Sequence, residues 1–300
     1  MIVFSRAPCD PKQRYMLPAA ARGRDGMQVA RTLPEVIAAW QLVYETYRHT
    51  NFIDPNAYLI HTTQRAVAPN TVVLYLPHDG QVQSTITAIP DGPSGLPLDD
   101  VYPKELARLR RSGRRICEGG LLADQRQIPD RKSEGGALRR CRPSSRTRPG
   151  QTSLVEMMRF AVNYGRSCFA VTDLLIGVHP RHARFYSRGF GFEPYGPPRT
   201  HPRVNHQPVV LLRCDLERAR FIQPIPFVLA YCFGSTVSPE VFDARYRFPH
   251  GEKDLYGRTL DGYLTYEKAR RSAVNTAPPR DWQPANGVET EDLRAVVAVG

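Results

Sequence analysis

The six cysteines of this 300-residue chain, Cys9, Cys117, Cys141, Cys168, Cys214 and Cys232, include no CxxC pair. Their wide and irregular spacing argues against a structural zinc site and leaves reduced cytosolic thiols as the expectation. No run reaches the roughly 18 apolar residues that a membrane-crossing helix needs. The nearest approach, Ile225 to Gly234, is short and holds Pro226. Met1-Ile2-Val3-Phe4-Ser5-Arg6 leads into no long apolar segment, so no signal peptide is expected and the protein is expected in the cytoplasm. His179, His182, His201 and His206 lack the HExxH spacing and an accompanying carboxylate, so no metal is expected. There is no internal repeat.

What is present fits a soluble globular protein, with 41% hydrophobic and 23% charged residues. The formal net charge is +12 and uneven. The positive excess falls in residues 104–220, mainly within 108–150, while residues 235–300 are near neutral. Such a balance suits nucleic acid, an anionic membrane surface, or an acidic protein or phosphate-bearing substrate. Aromatic residues do not interleave with the arginine run, which argues against a base-stacking nucleic-acid surface.

Residues 1–28 show little periodicity and are expected to form a disordered or loosely attached arm. From Val29 the pattern sharpens. Thr32 is placed to cap a helix with Pro34 in its first turn, and Val36, Ile37, Trp40, Val43, Tyr44 and Tyr47 recur at helical spacing. Thr71 to Leu76 and Gln81 to Ile89 read as two strands of a hairpin turned at His78-Asp79-Gly80. Tyr102 to Arg111 predicts a short helix, and Arg114 to Ala123 a third strand, bulged at Gly119-Gly120.

Residues 128–150 differ from their surroundings. Seven of these 23 are Arg or Lys, and apolar content nearly vanishes, which predicts a mobile basic loop rather than a core layer. Helical spacing resumes from Ser153 to Gly165. Cys168 to Ile176 then reads as a strand, Pro180 opens a short helix, and Pro208 to Leu216 is a last strong strand. The order predicts an α/β domain over 29–220 around one mixed central sheet flanked by helices. Residues 221–300 are expected as an extension, partly helical or disordered.

Two residues stand out chemically. Glu118 lies inside the third strand, where a carboxylate is costly unless hydrogen-bonded or functional. Burial would raise its pKa toward that of a working base; the plainer alternative is a solvent-facing residue or one partner of a structural ion pair. Tyr186, on the short helix after Ile176, could protonate a leaving thiolate, or could be a core aromatic beside Phe185, Phe190 and Phe192. Gly119-Gly120 would let a ligand approach the backbone, or simply kink the strand. Cys117 has no local support as a nucleophile and reads as a buried thiol. Lys132-Ser133-Glu134-Gly135-Gly136-Ala137 is a weak pyrophosphate loop, and a solvated basic loop fits its composition better.

From about Ala30 to Leu216 the chain resembles the N-acyl amino acid synthases of the FeeM type, GNAT-fold relatives of acyl-homoserine lactone synthases. The resemblance is carried first by Val43-Tyr44-Glu45-Thr46-Tyr47 with Asp54-Pro55-Asn56, and by Thr85-Ile86-Thr87 leading to Gly95-Leu96-Pro97-Leu98-Asp99. It continues through Glu105-Leu106, Leu109-Arg110, and Cys117-Glu118 to Leu122-Ala123. Its strongest part is His179-Pro180-Arg181-His182-Ala183-Arg184-Phe185-Tyr186 with Gly191-Phe192-Glu193.

The resemblance implies a GNAT-like fold and transfer of a long acyl chain from the phosphopantetheine of acyl carrier protein, or from coenzyme A, to a small amine acceptor such as an amino acid. It places Glu118 and Tyr186 in the catalytic site. It puts the donor along Leu121 and Leu122 and beside Arg181, His182 and Phe185, with Arg126, Arg131 and Lys132 as candidates for the phosphate. Where the family usually carries serine or arginine after the glutamate, this chain has Gly119 and Gly120. The 128–150 loop is unlike the arginine-bearing donor loop expected of the family. The positive face suits an acidic carrier protein. Two other functions remain open on sequence: a coenzyme A-dependent acetyltransferase, and a degenerate, non-enzymatic GNAT-like module that binds a partner through its basic loop.

Overall fold

The computed structural model describes residues 15–128, 153–221, 227–248 and 255–275. Most of the basic loop, with Arg131 and Lys132, lies outside the described residues, as do residues 1–14 and 276–300.

One mixed sheet organises the molecule. Its strands are β1 (Gln28–Val29), β2 (Val72–His78), β3 (Gln81–Pro90), β4 (Ile116–Asp124), β5 (Asp173–Val178), β6 (Glu193–Pro194), β7 (Arg199–His201) and β8 (Gln207–Asp215). The order is β1-β2-β3-β4-β5-β8-β6, with β7 also on β8. All neighbours are antiparallel except β4 and β5. The hairpin β2–β3 turns at Asp79-Gly80, both at positive φ, as the His-Asp-Gly signal predicts.

Helices α1 (Leu33–His49) and α2 (Pro103–Arg111) cover one face, and α3 (Ser153–Phe169) and α4 (Pro180–Phe190) the other. The stripe read from sequence is the buried face of α1: Val36, Ile37, Trp40, Val43 and Tyr44 are all in the core. Thr32 does hold the N-cap position, but its side chain caps nothing. Glu35 accepts the Arg31 N–H instead and also binds Arg24 and the Tyr75 hydroxyl.

Three local expectations are corrected. The third strand is bulged, but one residue later than the glycines. Thr85 faces Ala123 and Thr87 faces Gly120, so β4 holds one extra residue there, and Leu121 takes it up at φ +51°. The strand expected from Cys168 begins only at Asp173, because α3 runs on to Phe169, whose ring packs edge-on against Tyr164 at 5.3 Å. An apolar run cannot be divided between helix and strand by spacing alone. Residues 15–28, expected within a disordered or loosely attached arm, lie against the sheet: Leu17 and Ala21 are buried, and Leu17 N donates to Gly80 O.

The C-terminal part wraps around the β1 edge. Helix α5 (Phe227–Gly234) and the short α6 (Glu240–Asp243) pack on α3, where Phe242 meets Phe160 and Tyr164. Tyr246 N then donates to Ala30 O, and Phe248 stacks on Trp40 at 5.6 Å on the opposite face. Helix α7 (Leu255–Asn275) continues against α1.

Candidate active site

The feature that makes a site is the parting of β4 and β5. They pair only at Ile116–Asp173, Cys117–Leu174 and Glu118–Leu175. Both strands run on, β4 to Asp124 and β5 to Val178, with no pairing between them. On their far sides they stay paired, β4 with β3 and β5 with β8. Beyond Glu118 the sheet therefore opens into a V, with backbone N–H and C=O groups of both strands facing the gap. An extended chain of amides can pair with such edges.

Glu118 sits at the root of this V and is 6% exposed. Its Oε2 accepts the Leu98 N–H at 2.8 Å. Burial pushes its pKa up to about 8, against the opposing pull of that N–H and of Arg203. The segment presenting Leu98 is firmly held, since Arg110 forks onto Asp99 and Asp91 in four bonds of 2.7 to 2.8 Å. A Cβ on Gly120 would stand 3.4 Å from Glu118 Oε1, and one on Gly177 would stand 2.7 Å from Leu98 Cδ2. Glycine at these positions keeps the space beside the carboxylate clear.

Tyr186 belongs to the core layer under α4, and Tyr47 to the opposite layer under α1. Burial raises the Tyr47 phenol, and nearby Tyr186 and Glu118 raise it further. The Tyr47 phenol thus lies within electrostatic reach of both Glu118 and Tyr186. Burial pushes Tyr186 up to about 12. Tyr186 packs on Phe185, Phe190 and Phe192, as the core-aromatic reading expects. Among the described residues, Glu118 Oε1, Tyr47 Oη and Tyr186 Oη carry no hydrogen bond, and none of them is sealed in the core.

Helix α4 opens beside the end of β5. His179 Nδ1 accepts the Arg181 N–H, Pro180 takes the first helical position, and Gly191 ends the helix at φ +67°. Arg181 is exposed and donates from Nε to His182 Nε2 at 3.0 Å. Burial, then Arg181, brings His182 down to about 4, so it is uncharged at neutral pH. Phe185 is half-buried against Tyr186. Leu121 and Leu122 lie on β4 just past the glutamate, at the bulge, along the open edge. Arg126 forks onto Asp124 and reaches Ser153 Oγ, so it ties the end of β4 to the start of α3. It brackets the segment that holds Arg131 and Lys132, on which the structure is silent.

Sequence reasoning did not single out Tyr47 or His61. The Asp54-Pro55-Asn56 turn folds back through Asn56, whose Oδ1 accepts the Tyr58 and Leu59 N–H groups, and returns His61 to α1. The His61 ring lies 5.3 Å from the Tyr47 ring. Cys117 is buried with its thiol pushed up by burial and by Glu118, which suits an inert thiol. Among the described residues no group of three His, Cys, Asp or Glu converges on a point, and no helix there is long and apolar enough to cross a membrane.

The family model described as N-acyl amino acid synthase FeeM matches residues 38–139 and 141–215. Among solved structures, FeeM, an N-acyl amino acid synthase from uncultured soil microbes, is 21% identical with a TM-score of 0.51. That match covers 66% of this chain and 99% of that one. The coenzyme A-dependent acyl-homoserine lactone synthase BjaI is 15% identical with a TM-score of 0.42, covering 73% of this chain and 99% of its own. An acyl-CoA N-acyltransferase from Pseudomonas aeruginosa is 14% identical with a TM-score of 0.37, covering 63% and 97%. No curated protein matches the chain by sequence. With well over half of its length matched, and an open-sheet site inside the matched region, the chain belongs to the N-acyl amino acid synthase FeeM family and is an acyltransferase.

Proposed function

We propose that the protein transfers a long-chain acyl group from the phosphopantetheine thioester of acyl carrier protein to the amine of an amino acid, in the cytoplasm. The observation that carries the reading is Glu118: a buried carboxylate at the root of the V, its pKa raised into the range of a base, with Oε1 unpartnered and the Tyr47 phenol within electrostatic reach. The pantetheine amides pair with the backbone at Leu121 and Leu122. Arg126, Arg131 and Lys132 meet its phosphate, and Arg181, His182 and Phe185 line the approach along α4.

The amine nitrogen attacks the thioester carbonyl carbon while Glu118 takes its proton. The C–S bond breaks, and the proton that Glu118 took is passed through solvent to the thiolate, giving an amide, a free thiol and Glu118 again as carboxylate. A phenol near 12 remains protonated at neutral pH. That makes Tyr186 a hydrogen-bond donor to the sulfur as charge builds there, rather than the final source of the proton. Tyr186→Phe is expected to keep the fold, because Phe fits the same aromatic cluster, and to slow thiol release about a hundredfold. Single-turnover trapping of the released thiol measures this, and an unchanged rate would return Tyr186 to a packing role.

A carrier protein as donor is favoured by the net charge of +12, since a basic face attracts an acidic partner. Coenzyme A is the second reading. Mass spectrometry of lipid extracts from cells expressing the chain, beside cells expressing Glu118→Gln, tests the reaction. New N-acyl amino acids in the first and not the second support it. Purified enzyme given dodecanoyl carrier protein or dodecanoyl-CoA separates the donors by their kcat/KM.

A further inference from the structure

The family match ends at residue 215, yet α7, which follows it, packs on the segment that holds His61. Tyr263 on α7 is 2% exposed, and its hydroxyl lies 3.1 Å from His61 Nδ1. The same hydroxyl meets Thr62 twice, with the carbonyl at 3.2 Å and the N–H at 3.3 Å. A hydroxyl has one proton, and the Thr62 carbonyl can only accept. With that proton on the carbonyl, His61 Nδ1–H donates to Tyr263 Oη, and the lone pair of His61 is left on Nε2. No described residue engages Nε2, and it is not sealed in the core.

Two observations place His61 near Glu118. The His61 ring packs on Tyr47, whose phenol feels both Glu118 and Tyr186. Arg203 acts on Glu118 and His61 alike, so it stands near both.

We propose that α7 completes the acceptor side of the site: Tyr263 fixes the tautomer of His61, and His61 Nε2 accepts a hydrogen bond from an N–H of the acceptor amine. This rests on the acyl transfer proposed above. Burial, then Arg203, Arg270 and His201, brings His61 down to about 3. It is therefore uncharged through the working range, orients the amine, and leaves the proton to Glu118. Tyr263 is a positioning residue, acting only through His61.

The test uses the full chain with saturating dodecanoyl carrier protein or dodecanoyl-CoA and a pool of the free amino acids, product being read by mass. For the amino acid that is acylated, KM for acceptor and for donor are compared in wild type, Tyr263→Phe and His61→Phe. Tyr263→Phe should raise the acceptor KM about fivefold to tenfold, the worth of one hydrogen bond, and His61→Phe at least as much. Donor KM should stay within about twofold in both. Melting temperatures check the fold, and if His61→Phe is destabilised, Tyr263→Phe, which keeps its ring, decides alone. Product with an unchanged acceptor KM, or with both KM values rising together, overturns this inference and spares the functional one. No product from wild type with either donor overturns both.

Discussion

Glu118→Gln is expected to lower kcat/KM about a thousandfold, within the range for losing a general base. It also removes the part of the pH profile that belongs to the carboxylate. Gln keeps the Leu98 N–H bond and nearly the same shape, so the loss isolates proton transfer. With a pKa near 8, only about one Glu118 in ten is ionised at pH 7. Wild-type kcat/KM should therefore climb up to tenfold per pH unit and level off above pH 8. Ionisation of the acceptor amine adds a rise of its own in both proteins, and the difference between the two profiles belongs to Glu118. A variant as fast as wild type at every pH would falsify the role of Glu118 as base.

The same substitution shows in stability. The folded-state pKa of Glu118 is raised from 4.5 to about 8, so the fold favours the neutral carboxyl. Its contribution is fully present below pH 4.5 and is lost as pH rises to about 8. At about 1.4 kcal/mol per pH unit the loss reaches several kcal/mol. Glutamine stays neutral. Urea unfolding should find the two proteins similar at pH 4.5, and Glu118→Gln the more stable at pH 9.

How much of this was legible before the structure depends on how local each feature is. The β2–β3 hairpin, α1 and α4 follow from turn residues, apolar spacing and the Pro180 and Gly191 boundaries, all within about one element length. The bulge was legible in existence but not in place: Gly119-Gly120 is the natural site for positive φ, yet Leu121 adopts it. Register with β3 decides that, and register is a pairing between distant segments. The parting of β4 and β5 leaves no local mark, because each strand remains well paired on its other side.

The site was legible where it broke a local rule. A glutamate in an apolar strand conflicts with the pattern around it, which makes Glu118 the candidate that the sequence itself marks. Tyr47 conflicts with nothing. It sits on the apolar stripe of α1, where a residue with a chemical part to play and one that fills a core look alike. His61 and Tyr263 are 202 positions apart and come together only because the extension wraps the β1 edge. Composition correctly set residues 235–300 apart in charge, but could not show that Tyr246 and Phe248 would cross to the α1 face.

Asp173→Ala is expected to destabilise the fold by about 3 to 5 kcal/mol, the cost of removing one member of a buried ion-pair cluster. Asp173 is fully buried at the first β4–β5 pair, the closed end of the V. Its two oxygens take Arg114 Nε and Arg213 Nε, and Thr172 Oγ1 donates to it as well. Arg114 comes from the approach to β4 and Arg213 from β8, so one carboxylate joins three neighbouring strands. Both arginines also share Asp215, at 2.8 and 2.9 Å. Removing Asp173 leaves two guanidinium groups facing each other across a buried gap, with a half-exposed aspartate as their remaining common partner. Arg114→Ala should cost less, because Asp173 keeps Arg213, and the double variant should show coupling of about 1 kcal/mol or more. At this chain length a loss of 3 to 5 kcal/mol lowers the melting temperature by about 10 °C. The strands of the V can diverge beyond Glu118 only if they are locked together before it. Activity at a temperature where Asp173→Ala is still folded therefore separates the two effects. If the clamp sets the opening of the V, kcat/KM falls even in folded protein; if it supplies stability alone, the rate per folded molecule is unchanged.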